Sequence, residues 1–206
     1  MNQTLRWIFI FPLLIYLLTP TQVRAKSNFE STDTEDVIEK DESHILEIVP
    51  FDQHDSRSPY NDYDCFIASM YMAMEFFGED VNYDALVELV RGEDKNELPA
   101  DPSFVYFATQ GRLSAKGKYT SQLAQVIESE LVADRPLVIP IRDMSLLAEN
   151  WNLTGAHSVI VYGIYKETIF YVDPFNGERY TMPLQSFVDA SVFPHGSYVI
   201  TFENKE

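Results

Sequence analysis

The chain holds one cysteine, Cys65, and four histidines, so any thiol chemistry has a single candidate nucleophile. Cys65 opens the stretch CFIASMYMAMEFF, which is apolar almost all the way round, is preceded by Asp62 and Asp64 as caps and stops at Gly78. That pattern predicts a buried central helix over 65–77. A thiol in the first turn of a helix faces unpaired N–H groups and the positive end of the macrodipole, which favour the thiolate. A lone cysteine is more often a small buried hydrophobe than a nucleophile. Position, and not residue type, therefore makes Cys65 a candidate.

A thiol nucleophile needs a base, and His157 stands where Thr154-Gly155-Ala156 gives way to the β-branched run 158–164. The chain doubles back near 165–167 into a second run at 169–172, and a hairpin centred there puts Asp173 opposite some residue between 157 and 161. His157 and Asp173 are thus expected neighbours. A carboxylate against an imidazole fixes its tautomer and stabilises the imidazolium that forms when the thiol gives up its proton. The plainer readings are a strand-edge histidine with a satisfied ring, and an aspartate that ends a strand before Pro174.

The elements that must position these groups follow from periodicity. Asn82 caps a predicted amphipathic helix over 83–90, ended by Gly92, and Thr120 or Ser121 caps another over 122–132. After Pro136 the pattern changes to β-branched and aromatic runs at 137–141, 158–164, 169–172 and 198–202, with a shorter strand at 179–182 and a short helix over 183–188. Helices come first and strands second, which predicts an α+β fold with an antiparallel sheet. A helix as apolar as 65–77 must be wrapped by that sheet, and its N-terminus then meets strand ends.

Composition bounds what such a site can act on. Of 206 residues, 46% are hydrophobic and 14% aromatic, enough for a real core, so global disorder is excluded. Fifteen Lys and Arg against 32 Asp and Glu give a net charge of −17, which repels phosphate backbones and argues against nucleic acid as a partner. One cysteine forms no internal disulfide, and four scattered histidines offer no zinc-ligand spacing. Residues 1–25 read as a cleavable export signal: Arg6, an apolar run at 7–18 interrupted by Pro12, then Val23-Arg24-Ala25 at the cleavage site. The run is too short for a permanent span, so no stable membrane insertion is expected after cleavage. Residues 26–44 are acidic and polar and read as a flexible spacer. The globular domain is expected over 45–206. Asn152-Leu153-Thr154 fits an N-glycosylation pattern but short matches arise by chance. Tyr60, Tyr63, Phe66 and Trp151 could line an aromatic cleft, though such residues are more often core.

Taken together, Gln53, the string Tyr63-Asp64-Cys65 with Ala68-Ser69 entering a long apolar helix, Arg135-Pro136-Leu137-Val138-Ile139-Pro140, Gly155-Ala156-His157-Ser158-Val159-Ile160-Val161-Tyr162-Gly163 and Tyr171-Val172-Asp173-Pro174 resemble the C39-like cysteine peptidases of the papain-like superfamily. The short helix over 184–189 fits as well, and the resemblance spans most of 48–190. It implies a papain-like fold, a peptide or peptide-like substrate and no cofactor. It also implies Cys65 as nucleophile, His157 as general base and acid, and Asp173 as the orienting group. The oxyanion donor of the family lies upstream of the cysteine, about six residues before it in bacteriocin-processing members, where Pro59 stands here. Gln53, twelve before, is the candidate for that role, with 55–60 looped out and Asn61 as the substitute. Phe66-Ile67 replaces the family's Gly-Pro after the cysteine and is expected to crowd the lip of the site. The resemblance leaves two other classes open: a catalytically silent domain of this fold that binds peptides or cell-envelope components, and an interaction domain in which Cys65 is incidental.

Overall fold

The computed structural model describes residues 43–92, 101–143 and 156–205. The export signal, all of the spacer before residue 43, Trp151 and the Asn152-Leu153-Thr154 pattern lie outside them. A short strand β1 (His44–Ile45) precedes the helices α1 (Cys65–Phe76), α2 (Tyr83–Arg91) and α3 (Phe104–Ala108), and β2 (Leu113–Thr120) leads to α4 (Leu123–Val132). There follow β3 (Leu137–Ile141), β4 (His157–Tyr165), β5 (Thr168–Asp173), β6 (Glu178–Pro183), α5 (Leu184–Ala190), β7 (Val192–Phe193) and β8 (Gly196–Asn204). Among the described residues no helix is long and apolar enough to cross a membrane.

The strands form one antiparallel sheet in the order β2-β8-β3-β4-β5-β6, with β1 pairing β4 and β7 pairing β8. Helices cover both faces. On one, Ile67, Met70 and Met74 of α1 share a core with Ile160 and Tyr162 of β4, Val172 of β5 and Phe202 of β8. On the other, Leu123 and Ile127 of α4 and Phe187 of α5 pack with Val159 and Val161 of β4 and Tyr171 of β5. Coverage on both sides explains why β4 reads as an unbroken apolar run. Each large side chain withdrawn in this way contributes about 1.5–3 kcal/mol, so α1 is anchored along most of its length.

Local signals set most ends. Asn82 accepts from Ala85 N–H at 3.0 Å, and α2 stops at Gly92, whose φ is +51°. Asp64 occupies the N-cap position of α1, but its carboxylate makes no capping bond. The expected separation of helices from strands fails at β2, which lies between α3 and α4. Its central residues are exposed on the sheet edge, so Lys116, Gly117 and Lys118 carry no apolar alternation.

Candidate active site

Cys65 is the first residue of α1, where backbone N–H groups have no partner within the helix. The β4–β5 hairpin turns through Lys166 and Glu167, with Lys166 at φ +54° and Tyr165 opposite Thr168. Ile160 pairs with Val172, so Asp173 falls one position further on, diagonal to His157. Diagonal neighbours are within reach of long side chains. His157 Nε2 lies 2.7 Å from Asp173 Oδ1, and both side chains are almost fully buried. The imidazole is also hydrogen-bonded to Cys65. With Nε2 held by the carboxylate, Nδ1 is the nitrogen left for the thiol. Burial works against a charged ring, but the bonds to Asp173 and Cys65 outweigh it and push the His157 pKa up to about 9. Asp173 Oδ1 is fixed in turn by Phe175 N–H at 2.9 Å.

One turn along α1 from Cys65, Ser69 Oγ donates to the Ser158 carbonyl at 3.1 Å in the buried interior. Pro140 is the cross-strand partner of Ser158 and has no N–H to offer. The hydroxyl satisfies that carbonyl and ties the cysteine helix to the residue after His157.

Gln53 reaches the site by a longer route. After β1, Leu46 N–H bonds Tyr162 O at 2.8 Å and Arg179 donates to the Ile48 carbonyl at 2.6 Å. These bonds carry the segment along the sheet. Two glycines permit its close approach: a Cβ on Gly163 would stand 3.2 Å from Ile45 Cα, and one on Gly177, at φ +64°, 3.1 Å from Asp52 N. Gln53 then lies fully buried in a 3-10 turn, Gln53–Asp55. Its N–H bonds Pro174 O at 2.8 Å and its Nε2 donates to Asn61 O at 2.6 Å. It therefore bridges the turn after Asp173 and a second 3-10 turn, Asn61–Tyr63, that runs into Cys65. Asn61 enters through its carbonyl, as the acceptor for Gln53.

Other expectations fare differently. Phe66 and Ile67 are 7% and 0% exposed and point into the core, Phe66 against Phe104 at 6.0 Å, so they do not crowd the lip. The helix turn carries both side chains inward while Cys65 keeps its partly exposed position. Of the four aromatics, Phe66 is core and Tyr63 is exposed, and Trp151 lies outside the described residues. Tyr60 lines a cleft of about 300 Å³ with Val87 and Arg91.

Sequence reasoning overlooked Arg91, Tyr83 and His54. Arg91 closes α2 with its guanidinium buried against Asp64, Nε to Oδ1 at 2.7 Å with Nη2 on the same oxygen, and stacked over Tyr60 at 5.1 Å. This pair takes the Asp64 side chain away from capping. Tyr83 packs on Phe51 at 4.5 Å, and burial, then the nearby Asp64 and Cys65, push its phenol pKa up. An arginine in the last turn of an amphipathic helix is ordinarily solvated, so only the tertiary fold identifies this one as a partner of Asp64.

Comparison with known proteins agrees with this architecture. The Peptidase_C39 like family matches over residues 45–195. No curated protein matches the chain. Among solved structures, one described as a C39-like peptidase from Bacillus anthracis is 19% identical, with a TM-score of 0.57 over 79% of this chain and 98% of that one. A double glycine motif protease from an AMS/PCAT transporter, in complex with the leader peptide, is 16% identical, with a TM-score of 0.53 over 78% and 94%. The peptidase domain of Streptococcus ComA, a bi-functional ABC transporter, is 14% identical, with a TM-score of 0.51 over 78% and 99%. These likenesses establish the papain-like fold of C39 peptidase domains. With the family matched across most of its length, the chain belongs to the C39-like cysteine peptidases.

Proposed function

We propose that the chain is an exported thiol hydrolase that cleaves, or transfers, an amide or peptide bond. The observation that carries the reading is the unbroken set of hydrogen bonds from Cys65 at the head of α1 through His157 to Asp173. With its proton already held on His157, Cys65 Sγ attacks the carbonyl carbon. The tetrahedral oxyanion is met by the Cys65 N–H and the Gln53 amide, donors that act on charge developing in the transition state. Collapse expels the amine, which leaves with the proton from His157, and a thioester remains. Water, deprotonated by the same ring, then releases the acid and restores the thiol. Asp173 keeps the imidazole oriented and favours its charged form throughout.

A peptide substrate is supported by family membership and by the similar protease that was solved with its leader peptide. Export is supported by Arg6, the apolar run at 7–18 and Val23-Arg24-Ala25. The test is a peptide-library screen on the chain from Lys26. Turnover that vanishes in Cys65→Ala, and that falls about 10²-fold or more in Gln53→Ala, is the expected result. Full turnover in Cys65→Ala refutes it.

A second reading, a silent peptide-binding domain, is favoured by one observation: the Gln53 amide is turned onto the Asn61 carbonyl. Binding that persists in Cys65→Ala, with no peptide turned over by the unaltered chain, would select it.

A further inference from the structure

His54 follows Gln53 in the same 3-10 turn and meets all three segments of the site. Its Nδ1 lies 2.8 Å from Asp52 Oδ1 and its Nε2 lies 3.2 Å from Asp62 Oδ1. Asp62 belongs to the turn Asn61–Tyr63, whose first carbonyl accepts from Gln53 and whose far end leads into Cys65. The ring packs edge-on against Phe175 at 4.7 Å, the residue whose N–H holds Asp173 Oδ1. A neutral imidazole has one N–H and one lone pair, so between two carboxylates it donates to one and turns its lone pair on the other. Only the imidazolium donates to both.

We propose that His54 is a positioning residue for the thiol-hydrolase reaction, its doubly bonded ring tying the Gln53 turn to the turn ahead of Cys65 while both ring nitrogens carry protons. The inference rests on the hydrolase reading above. The groups facing the ring are Asp52 from its own turn, Asp62 from the cysteine side and the Phe175 backbone from the aspartate side, and every one of them favours the proton. Burial opposes the charge, but the Asp52 and Asp62 contacts outweigh it and hold the pKa above the ordinary 6.5. The tie is complete in mildly acid solution. It opens as pH rises through that elevated value, the Asp62 contact being the longer and more exposed. With both partners partly in water, the tie should change kcat/KM by about two- to five-fold.

The experiment is the kcat/KM profile from pH 5.5 to 9.5, on a peptide from the library screen, for the unaltered chain, His54→Gln and His54→Arg. Arginine keeps a permanent charge and a planar fork able to reach two carboxylates. The ratio of unaltered to His54→Gln should be about two- to five-fold at pH 6 and decline toward one as the ring deprotonates. His54→Arg should restore the rate and hold it into the alkaline range. A ratio that stays flat with pH, or an arginine variant no better than glutamine, overturns the proposal. Cys65→Ala run alongside separates the two claims: its retained activity would refute the hydrolase reading, whereas a dead Cys65→Ala with a flat His54 ratio refutes only the positioning role. The tie also has a substrate-free readout, the NMR titration of the His54 ring. Its midpoint should lie above 6.5 and drop in Asp62→Asn, and an unmoved midpoint overturns the tie whether or not a peptide is turned over.

Discussion

Replacing Asp173 by asparagine preserves the shape beside His157 and removes the charge. Burial disfavours the imidazolium; the bond to Asp173, with that to Cys65, reverses this and lifts the ring from 6.5 to about 9. At 1.36 kcal/mol for each tenfold factor, the lift is about 3 kcal/mol of preference for the charged ring. The His157 side chain is only 4% exposed, so solvent screens little of it. Without the carboxylate only the Cys65 contact still opposes burial, so the ring should fall well below 9. At pH 7.5 a group with a pKa of about 9 is roughly 97% protonated and one at the ordinary 6.5 roughly 9%, so a full return to that value would cost about tenfold in the charged ring. The single cysteine makes the assay unambiguous: labelling by anionic iodoacetate is compared with labelling by neutral iodoacetamide, read by intact mass. The anion is drawn by an imidazolium beside the sulfur and the neutral reagent is not. In the unaltered chain the iodoacetate advantage should persist to alkaline pH and disappear through about 9. In Asp173→Asn it should disappear at a clearly lower pH, with labelling at pH 7.5 slower by up to about tenfold. The same midpoint in both proteins would refute the claim that Asp173 holds the charge on His157.

Three further outcomes are expected. Because the His157 pKa is raised in the folded state, its stabilising contribution is complete below 6.5 and is lost as pH rises from 6.5 to about 9. Thermal melts should accordingly show Tm falling across that window, with a flatter profile in Asp173→Asn. Ser69→Ala removes the hydroxyl that satisfies the Ser158 carbonyl and should cost about 1–3 kcal/mol in urea unfolding, with a fall in kcat as the cysteine helix loosens from β4. Arg91→Met leaves the Asp64 carboxylate buried without its cation and should cost about 3–5 kcal/mol, measured by the urea midpoint at constant m-value.

What could be read in the sequence was what short-range physics writes there. The α1 helix shows in thirteen nearly unbroken apolar residues, the α2 boundaries in Asn82 and Gly92, and the β4–β5 hairpin in two β-branched runs separated by a polar turn. Those elements bring together the cysteine, histidine and aspartate positions. What was not legible depends on contacts distant in the chain. Strand β2 is a sheet edge, so its solvent-facing lysines obscure the alternation, and only pairing with β8 makes it a strand. Phe66 and Ile67 follow the cysteine in sequence, which suggests the lip, but which way a side chain at the start of a helix points is decided by the helix's rotation against the sheet. Asp64 reads locally as a cap, and a buried Arg91 from another helix redirects it.

The placement of Gln53 shows why spacing along the chain is a poor measure of a site of this kind. For the proposed oxyanion role, twelve positions before the cysteine look too many beside the roughly six expected of bacteriocin-processing members. Yet the intervening residues do not lengthen the path in space. Asp52 accepts from His54 N–H at 2.8 Å and closes the first turn, Arg57 N–H is drawn out to Asp84 at 3.2 Å, and the chain returns so that Asn61 O meets Gln53 Nε2. The excursion is a loop whose two ends touch, and closing a few more residues costs little because the entropy of closure grows only with the logarithm of length. What fixes Gln53 is therefore where that loop closes, on the Asn61 carbonyl and against the Asp173–Gly177 turn that Gly177 allows to approach. A side chain on Gly177 should disturb Gln53 while leaving the His157–Asp173 bond intact.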